Sequence, residues 1–205
     1  FRRVLFRSKG SAIKMTVDDI HAVADTSGID RAALRAVLQV ETGGSGFDKS
    51  GRPKALFERH YFYKFIKDDP VLLDQAAAAG LAYPKWGERP YPKGSDAVYA
   101  EIEAAYEMRS DAALMATSWG LGQIMGSNWK MTGSTSVEEM VNQAMESEVN
   151  QLHHMIGFIK SSGLIDKLKA LDWAGFAKGY NGPAYAKNAY DTKLAGAYAN
   201  FTRLT

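Results

Sequence analysis

The residue best suited to chemistry in this sequence is Glu41, a carboxylate at the end of an apolar helical pattern. Leu34, Val37 and Leu38 precede it at helical spacing, so Glu41 shares the helix face that should be buried. Burial disfavours the charged form of a carboxylate, and the negative end of the helix dipole acts in the same direction. Both effects favour a protonated Glu41 near neutral pH, which is what a general acid requires.

The chain breaks sharply after Glu41, at Gly43, Gly44 and Gly46. Glycine adopts backbone conformations closed to other residues and lets a ligand approach the main chain, so Gly44 is a candidate substrate contact at the floor of a cleft. Taken alone, the stretch fits a second interpretation equally well. Glu41 would then be a solvated residue of the last helical turn, and the glycines would form a helix cap followed by a flexible loop.

A second carboxylate is needed if the acid cuts a glycosidic bond, because water must be activated or the developing cation stabilised. Residues 45–58 are predicted to form a small hairpin, and Glu58 on its return strand would face the same cleft as Glu41. Glu58 is therefore the predicted second catalytic residue. The alternative is an ion pair of Glu58 with Arg59 or a nearby lysine. Asp48 is nearer in sequence, but it lies in a turn where solvation is expected.

Two aromatic segments are candidates for a sugar-binding groove. Aromatic faces pack on the apolar sides of pyranose rings, while amides and hydroxyls bind the polar edges. Trp119 and Gln123 form one candidate group, and Tyr180 and Asn181 form the other. The alternative for Trp119 and Tyr180 is a place in the core.

The composition excludes several classes of function. A net charge of +2 gives no concentrated basic patch, so no nucleic-acid partner is predicted. The absence of cysteine removes disulfides, thiolate metal sites and cysteine nucleophiles. Adjacent His153 and His154 would point about 100° apart on a helix and cannot clamp one ion, so neither metal nor cofactor is predicted. No apolar run approaches the roughly 18 residues that span a bilayer, so no membrane partner is expected.

The elements that must position these residues are mostly helices. We predict a mainly α fold with one small β-hairpin, in a single catalytic domain over residues 16–205. Thr16 and Asp30 are predicted helix caps, and the longest helical pattern runs from Ser136 to Ser162. Phe1 to Gly10 is basic but lacks the apolar region and cleavage site of a signal peptide. Residues 1–15 are therefore expected to be a disordered leader or an assembly scar.

Three segments together resemble the lysozyme-like glycosidases. Glu-Thr-Gly-Gly at 41–44 is similar to the Glu-Ser-Gly element of goose-type lysozymes and soluble lytic transglycosylases, with Thr42 keeping the hydroxyl of the more usual serine. Ser-Trp-Gly-Leu-Gly-Gln-Ile-Met at 118–125 is similar to their Ser-x-Gly-Leu-Met-Gln-Ile segment, with Gly122 where methionine is common. Gly-Tyr-Asn-Gly-Pro at 179–183 is similar to their Tyr-Asn-Ala-Gly turn. Gly-Arg-Pro-Lys-Ala-Leu-Phe-Glu-Arg-His at 51–60, the Trp-Gly-Leu segment and residues 179–188 further resemble the N-acetylmuramidase domain of phage modular endolysins. This resemblance runs from about Val17 to Phe201.

This resemblance implies a lysozyme-like helical fold and cleavage of peptidoglycan glycan strands between N-acetylmuramic acid and N-acetylglucosamine. It assigns the acid role to Glu41 and groove roles to Gln123, Tyr180 and Asn181. Two alternatives stay open: a lytic transglycosylase that leaves anhydro-muramyl ends, and a cell-wall-binding module without catalysis. We expect a monomer that, if phage-encoded, waits in the host cytoplasm until it is released to the cell wall.

Overall fold

The computed structural model describes residues 10–183 and 185–203, and it confirms a mainly helical chain. The basic leader at 1–9 lies outside the described residues. Within the described residues, no helix is long and apolar enough to cross a bilayer. The helices are α1 (Val17–Ser27), α2 (Arg31–Glu41), α3 (Arg59–Ile66), α4 (Pro70–Ala78), α5 (Ser95–Met108), α6 (Ser110–Met115), α7 (Val137–Glu146), α8 (Glu148–Ser161), α9 (Ile165–Lys169), α10 (Trp173–Asn181) and α11 (Tyr190–Thr202), with 3-10 helices at Gly126–Thr132 and Tyr185–Asn188.

The first two helices begin as their capping residues predict. Thr16 accepts a hydrogen bond from the backbone N–H of Asp19, whose carboxylate accepts the backbone N–H of Thr16 in return, so α1 begins with a complete capping box. The side chain of Asp30 accepts the backbone N–H of Ala33 at 2.9 Å and so caps α2. The helix that carries Glu41 is therefore fixed at its start by local sequence.

The small sheet differs from the predicted hairpin in its pairing. Strand β1 (Ala55–Phe57) forms where a strand is expected, but it pairs antiparallel with β2 (Thr117–Trp119), which pairs in turn with β3 (Ile124–Met125). Residues 46–54 do fold back as a turn, held by the bridge between Phe47 and Pro53. The hairpin strand pair is therefore β2 and β3, and β1 reaches its partner across the intervening helices.

The predicted long helix at 136–162 is interrupted at Ser147. This residue has extended backbone angles, φ −156° and ψ 154°, and its hydroxyl caps α8 by accepting the N–H of Asn150. Ile13 forms a parallel bridge with Ser147, and the Ile13 N–H donates to the carbonyl oxygen of Glu146 at 2.9 Å. The last residues of the expected leader therefore pack against the junction of α7 and α8, and the ordered chain begins before Thr16.

Two apolar clusters form the core. One contains Phe57, Phe62, Ile102 and Met140, and it joins α3, α5, α6 and α7 to the sheet. The other joins α1, α2, α8, α9, α10 and α11, with α11 packed against α2. Glu41 ends a helix of the second cluster, while β1 and α5 belong to the first. Residues of both clusters therefore meet beside Glu41.

His154 on α8 is buried, whereas its neighbour His153 is exposed, as the angle of about 100° between adjacent helical positions allows. Its Nε2 lies 2.9 Å from Oε1 of Gln143. Burial lowers the pKa of His154 to about 4, the charge of His153 acts in the same direction, and Glu139 opposes them. The neutral imidazole is therefore part of the folded state over most of the pH range.

This burial predicts a loss of stability in acid. The unfolded chain binds a proton at His154 below about pH 6.5, while the folded protein does so only near pH 4. Stability is therefore lost as the pH falls through this interval. Between about pH 7 and 4.5 we expect His154 to contribute a loss of about 2 kcal/mol in the free energy of unfolding. Urea unfolding of His154→Gln should show a shallower decline than the wild type, and His153→Gln should follow the wild type; equal declines in all three would contradict the assignment.

Candidate active site

The cleft beside Glu41 encloses about 480 Å³. It lies between the end of α2, the strand β1, the start of α5 and the turn that joins β2 to β3. Its two carboxylates are Glu41 and Asp48, and Lys54 supplies a cation. The lining residues are Glu41, Thr42, Asp48, Lys54, Ala55, Leu56, Gly94, Ser95, Val98, Gly120, Leu121 and Gln123.

Glu41 is half-buried at the last position of α2, as its spacing in the apolar pattern predicts. Thr42 ends the helix by donating its hydroxyl to the carbonyl oxygen of Leu38 at 2.7 Å. Gly43 and Gly44 then turn the chain with positive φ angles of 57° and 96°, a region that favours glycine. The main chain thus leaves the helix abruptly, and the Glu41 carboxylate stays at the cleft wall.

The environment of Glu41 favours its protonated form. Burial raises the pKa of Glu41, and a hydrogen bond from Asn181 partly offsets this rise. The amide of Asn181 donates from Nδ2 to Oε1 of Glu41 over 2.9 Å. The carboxyl group is therefore oriented by α10 through one oxygen, and Oε2 is free of this bond.

Tyr180 lies next to the hydrogen-bonded pair of Asn181 and Glu41. Its ring stacks on Phe176 at a centroid distance of 5.5 Å, and its hydroxyl donates to the carbonyl oxygen of Gly122 over 3.3 Å. Burial is the main reason that the pKa of Tyr180 is raised, with the nearby Glu41 charge adding to it. The C-terminal end of α10 thus contacts both Glu41 and the β2–β3 turn that carries Gln123.

Asp48, which the turn sequence suggested to be solvated, lines the cleft instead. Its Oδ1 accepts the backbone N–H groups of Ser50 and Arg52, and its Oδ2 accepts from the Arg52 guanidinium and the Ser95 hydroxyl. Burial alone would raise the pKa of Asp48, but these donors outweigh it and lower the pKa. Asp48 is therefore an ionised carboxylate whose oxygens are engaged by four donors.

Glu58 does not share this cleft. It precedes α3, where Oε2 accepts a hydrogen bond of 2.5 Å from the Tyr91 hydroxyl and lies 3.3 Å from Nδ1 of His60. Burial and the bond to Glu58 together raise the pKa of Tyr91 to about 12, so the phenol keeps its proton and donates. The expectation that the return strand aims Glu58 at the cleft is wrong, because the residue after Phe57 faces the proline-rich loop at 81–94.

The aromatic groove prediction has mixed outcomes. Trp119 is 3% exposed, its indole N–H donates to the carbonyl oxygen of Leu114 at 3.1 Å, and its ring meets the edge of Tyr99. Trp119 is therefore a core residue and not a groove contact. Gln123 lines the cleft with a positive φ of 48°, and its amide nitrogen donates to the carbonyl oxygens of Lys54 and Gly120.

Gly44 lies in the loop after Glu41, where its backbone N–H donates to the Thr42 hydroxyl at 3.3 Å. Thr42 itself faces the cleft. Gly44 is exposed next to this cleft residue and does not itself line the cleft. Tyr180 and Asn181 likewise contact Glu41 and its surroundings and are absent from the cleft lining.

Sequence reasoning set Asp48 aside as solvated, and it missed Lys54 and Ser95. An aspartate in a turn closed by Gly51 is a signal for side-chain bonds to the local backbone, and that signal was present. The hydrogen bond from Ser95 to Asp48 could not be predicted from local sequence, because the two residues are 47 positions apart. Within residues 10–183 and 185–203, no group of three or more ligating side chains could hold a metal ion.

Comparison with known proteins identifies a family model and similar solved structures. The model of the N-acetylmuramidase family matches residues 30–202. Among solved structures, the crystal structure of Burkholderia AP3 phage endolysin is similar, with a TM-score of 0.85 and 38% sequence identity. The similarity covers 93% of this chain and 72% of that one, and it confirms the lysozyme-like, mainly α fold that the motifs imply. No curated protein matches the chain.

Proposed function

Because the chain belongs to the N-acetylmuramidase family, we propose that it is a peptidoglycan-degrading endolysin that hydrolyses the linkage from N-acetylmuramic acid to N-acetylglucosamine. The observation that carries the proposal is the half-buried Glu41 in a cleft of about 480 Å³, with its pKa raised by burial. The similarity to a phage endolysin over 93% of the chain supports the same biological role.

In this proposal Glu41 is the general acid. Asn181 holds Oε1 of Glu41, so a proton on Oε2 can be directed at the glycosidic oxygen. Donation of that proton lets the bond to the leaving sugar break as positive charge develops on the anomeric carbon. Because burial raises the pKa of Glu41, the carboxyl group keeps its proton to a higher pH than an ordinary glutamate does.

The rest of the cleft supplies binding and charge. Asp48 contributes a negative charge to the cleft that favours a developing cation, and its ion pair with Arg52 partly offsets this effect. Gln123 uses its amide nitrogen to fix the turn, which leaves the cleft wall rigid for the glycan strand. Lys54 can attract the carboxylates that peptide-bearing glycan strands carry.

A lytic transglycosylase is the second candidate, and one observation favours it. Asp48, the other carboxylate of the cleft, already accepts from four donors and has little remaining capacity to activate water. A transglycosylase needs only one acid and base, because the 6-hydroxyl of the muramyl group attacks in place of water. Glu41 alone could support that reaction.

Mass spectrometry of the fragments released from purified peptidoglycan tests both candidates. Borohydride-reducible muramic acid ends would support the muramidase. Ends lighter by one water and resistant to reduction would establish a transglycosylase. Reducible glucosamine ends would move the cut to the other linkage, and no release at all would make the protein a wall-binding module.

The bond between Asn181 and Glu41 predicts a shift in pH dependence. Since this bond lowers the pKa of Glu41, removing it in Asn181→Ala should raise that pKa further. Activity that needs protonated Glu41 falls as the pH rises through its pKa, so the alkaline limb of kcat/KM should move to higher pH. The exposed Asn188→Ala is the matched control. A limb that stays in place in Asn181→Ala, or moves to lower pH, would refute the role of Asn181.

The remaining partner and location assignments follow from the proposed function. The substrate is the glycan strand of peptidoglycan, and we propose a monomer that binds no nucleic acid. As an endolysin it would act on the cell wall after leaving the host cytoplasm. Sedimentation of the purified protein tests whether it is a monomer, since a concentration-dependent dimer would exclude that state.

A further inference from the structure

Glu148, the first residue of α8, is a buried carboxylate that the proposed chemistry does not use. It is 4% exposed. Its Oε1 accepts the backbone N–H of Gly46 at 2.8 Å and the hydroxyl of Ser45 at 3.0 Å. Its Oε2 accepts the backbone N–H of Met15 at 3.1 Å. Within the described residues these three donors are neutral, so hydrogen bonds alone compensate the burial of this group.

The segments joined by Glu148 are far apart in sequence. Ser45 and Gly46 end the loop that begins at Glu41, and Met15 belongs to the segment that precedes α1. The backbone N–H of Glu148 also donates to the carbonyl oxygen of Ile13 at 2.9 Å. One residue of α8 therefore fixes the loop after the acid and the N-terminal segment at the same time.

Gln151, one turn further along α8, extends this anchorage. Its Oε1 accepts the backbone N–H of Leu121 at 2.9 Å, and its Nε2 donates to the carbonyl oxygen of Ala144 at 2.7 Å. Gly46 packs so closely on Gln151 that an added Cβ would overlap its amide oxygen. The loop after Glu41 is therefore seated on two side chains of α8.

This anchorage matters because the other hydrogen bonds of the loop go to residues near it in sequence: the N–H of Gly44 donates to the Thr42 hydroxyl, and the carbonyl oxygen of Gly46 accepts the N–H of Lys54 at 2.8 Å. Gly43 and Gly44 have open space where a Cβ would stand, and both have positive φ angles. Glycine allows many backbone conformations, so the segment between Glu41 and Gly46 depends on its ends for its shape. The end at Glu41 is the helix itself, and at the other end Glu148 binds the N–H of Gly46 while Lys54 binds its carbonyl oxygen.

We propose that Glu148 is a positioning residue for Glu41, and that it couples the loop at 42–46 to the N-terminal segment at 12–15. The inference rests on the proposed function, because Glu41 is the acid only there. Loss of the carboxylate would remove the long-range acceptor of Ser45 and Gly46, loosen the loop, and displace Glu41 and Thr42 in the cleft. A misplacement of about 1 Å at a reacting group costs on the order of 100-fold in rate.

The experiment compares Glu148→Gln with the wild type and with Glu103→Gln, an exposed glutamate on α5. A glutamine offers one acceptor oxygen where three donors converge, so at least one donor loses its partner. On soluble peptidoglycan strands we expect kcat to fall by roughly 10- to 100-fold with little change in KM. Hydrogen exchange should become faster at the amides of Met15 and Gly46 and stay unchanged in α5.

Ser45→Ala provides a second variant that keeps the carboxylate buried. It should lower kcat in the same direction but less. In the double variant the two losses should combine to less than their product, because both variants release the same loop. Losses that multiply would overturn the proposal, as would a Glu148→Gln kcat equal to that of Glu103→Gln or an exchange increase spread evenly over the helices.

Failure of the proposed function would look different. The wild type would then release no fragments from peptidoglycan. Hydrogen exchange would still test the coupling without any activity. Faster exchange at both Met15 and Gly46 in Glu148→Gln would support the link between the two segments, and unchanged exchange at either would overturn it.

Discussion

Replacing Glu41 with glutamine is expected to abolish cell-wall lysis while the fold stays intact. Glutamine keeps the size of the side chain and an oxygen that can accept the Asn181 amide, but it cannot deliver a proton. Loss of a general acid costs about 100- to 10,000-fold in rate, so turbidity of permeabilised cells should fall no faster than in buffer. Substantial remaining lysis would show that Glu41 is not the acid.

Stability gives this variant an independent signature. Because the pKa of Glu41 is raised in the folded protein, the ionised carboxylate destabilises the fold above that pKa. The neutral glutamine removes this cost, so Glu41→Gln should unfold at the same or a higher temperature than the wild type at neutral pH. Glu58→Gln is the matched control: it lies outside the cleft and should retain lysis.

Replacing Arg59 with methionine is expected to cause the largest loss of stability. Arg59 is 9% exposed, pairs through Nη2 with Oε1 of Glu101, and donates from Nη1 to the carbonyl oxygen of Pro90 at 3.1 Å. The variant would leave Glu101 charged, largely buried and without its cation. Breaking such a pair costs about 3–5 kcal/mol, which chemical denaturation would detect directly.

Two further variants distinguish the cost of an unpaired buried charge from the cost of losing an ion pair. Arg109→Met breaks an exposed pair with Asp111 and should cost less than about 1 kcal/mol. In the described residues, Nε of Arg59 and Oε2 of Glu101 are buried without hydrogen-bond partners, so the pair itself is imperfectly compensated. Arg59→Met combined with Glu101→Leu should therefore recover most of the lost stability. A double variant as unstable as Arg59→Met would mean that the cost lies in the detached loop at 81–94.

The parts of the site that could be predicted from sequence are the local ones. Glu41 lies on the buried face of α2 because the apolar spacing and the Asp30 cap act within a few residues. Asn181 was found through a motif, and the structure adds its contact with Glu41. Each of these inferences needed only the residue type and its near neighbours.

The parts that failed depend on distant partners. A strand at 55–57 can be recognised locally, but its pairing with β2 is decided 62 residues away. Ser147 interrupts an apolar pattern that continues through it, because Ile13 pairs there. The position of Glu58 also depends on a distant partner. Tyr91, on the proline-rich loop at 81–94, donates a hydrogen bond to Glu58 outside the cleft.

The site can form only late in synthesis. Helix α11 packs on α2, and Asn181 binds Glu41 across 140 residues. The ribosome releases α2 long before α10 and α11, so the apolar face of the acid-bearing helix must wait for its partners. Contacts between distant parts of a chain form late, because the intervening segment must first be closed. A chain whose translation stops before residue 181 would carry the acid without the amide that orients it.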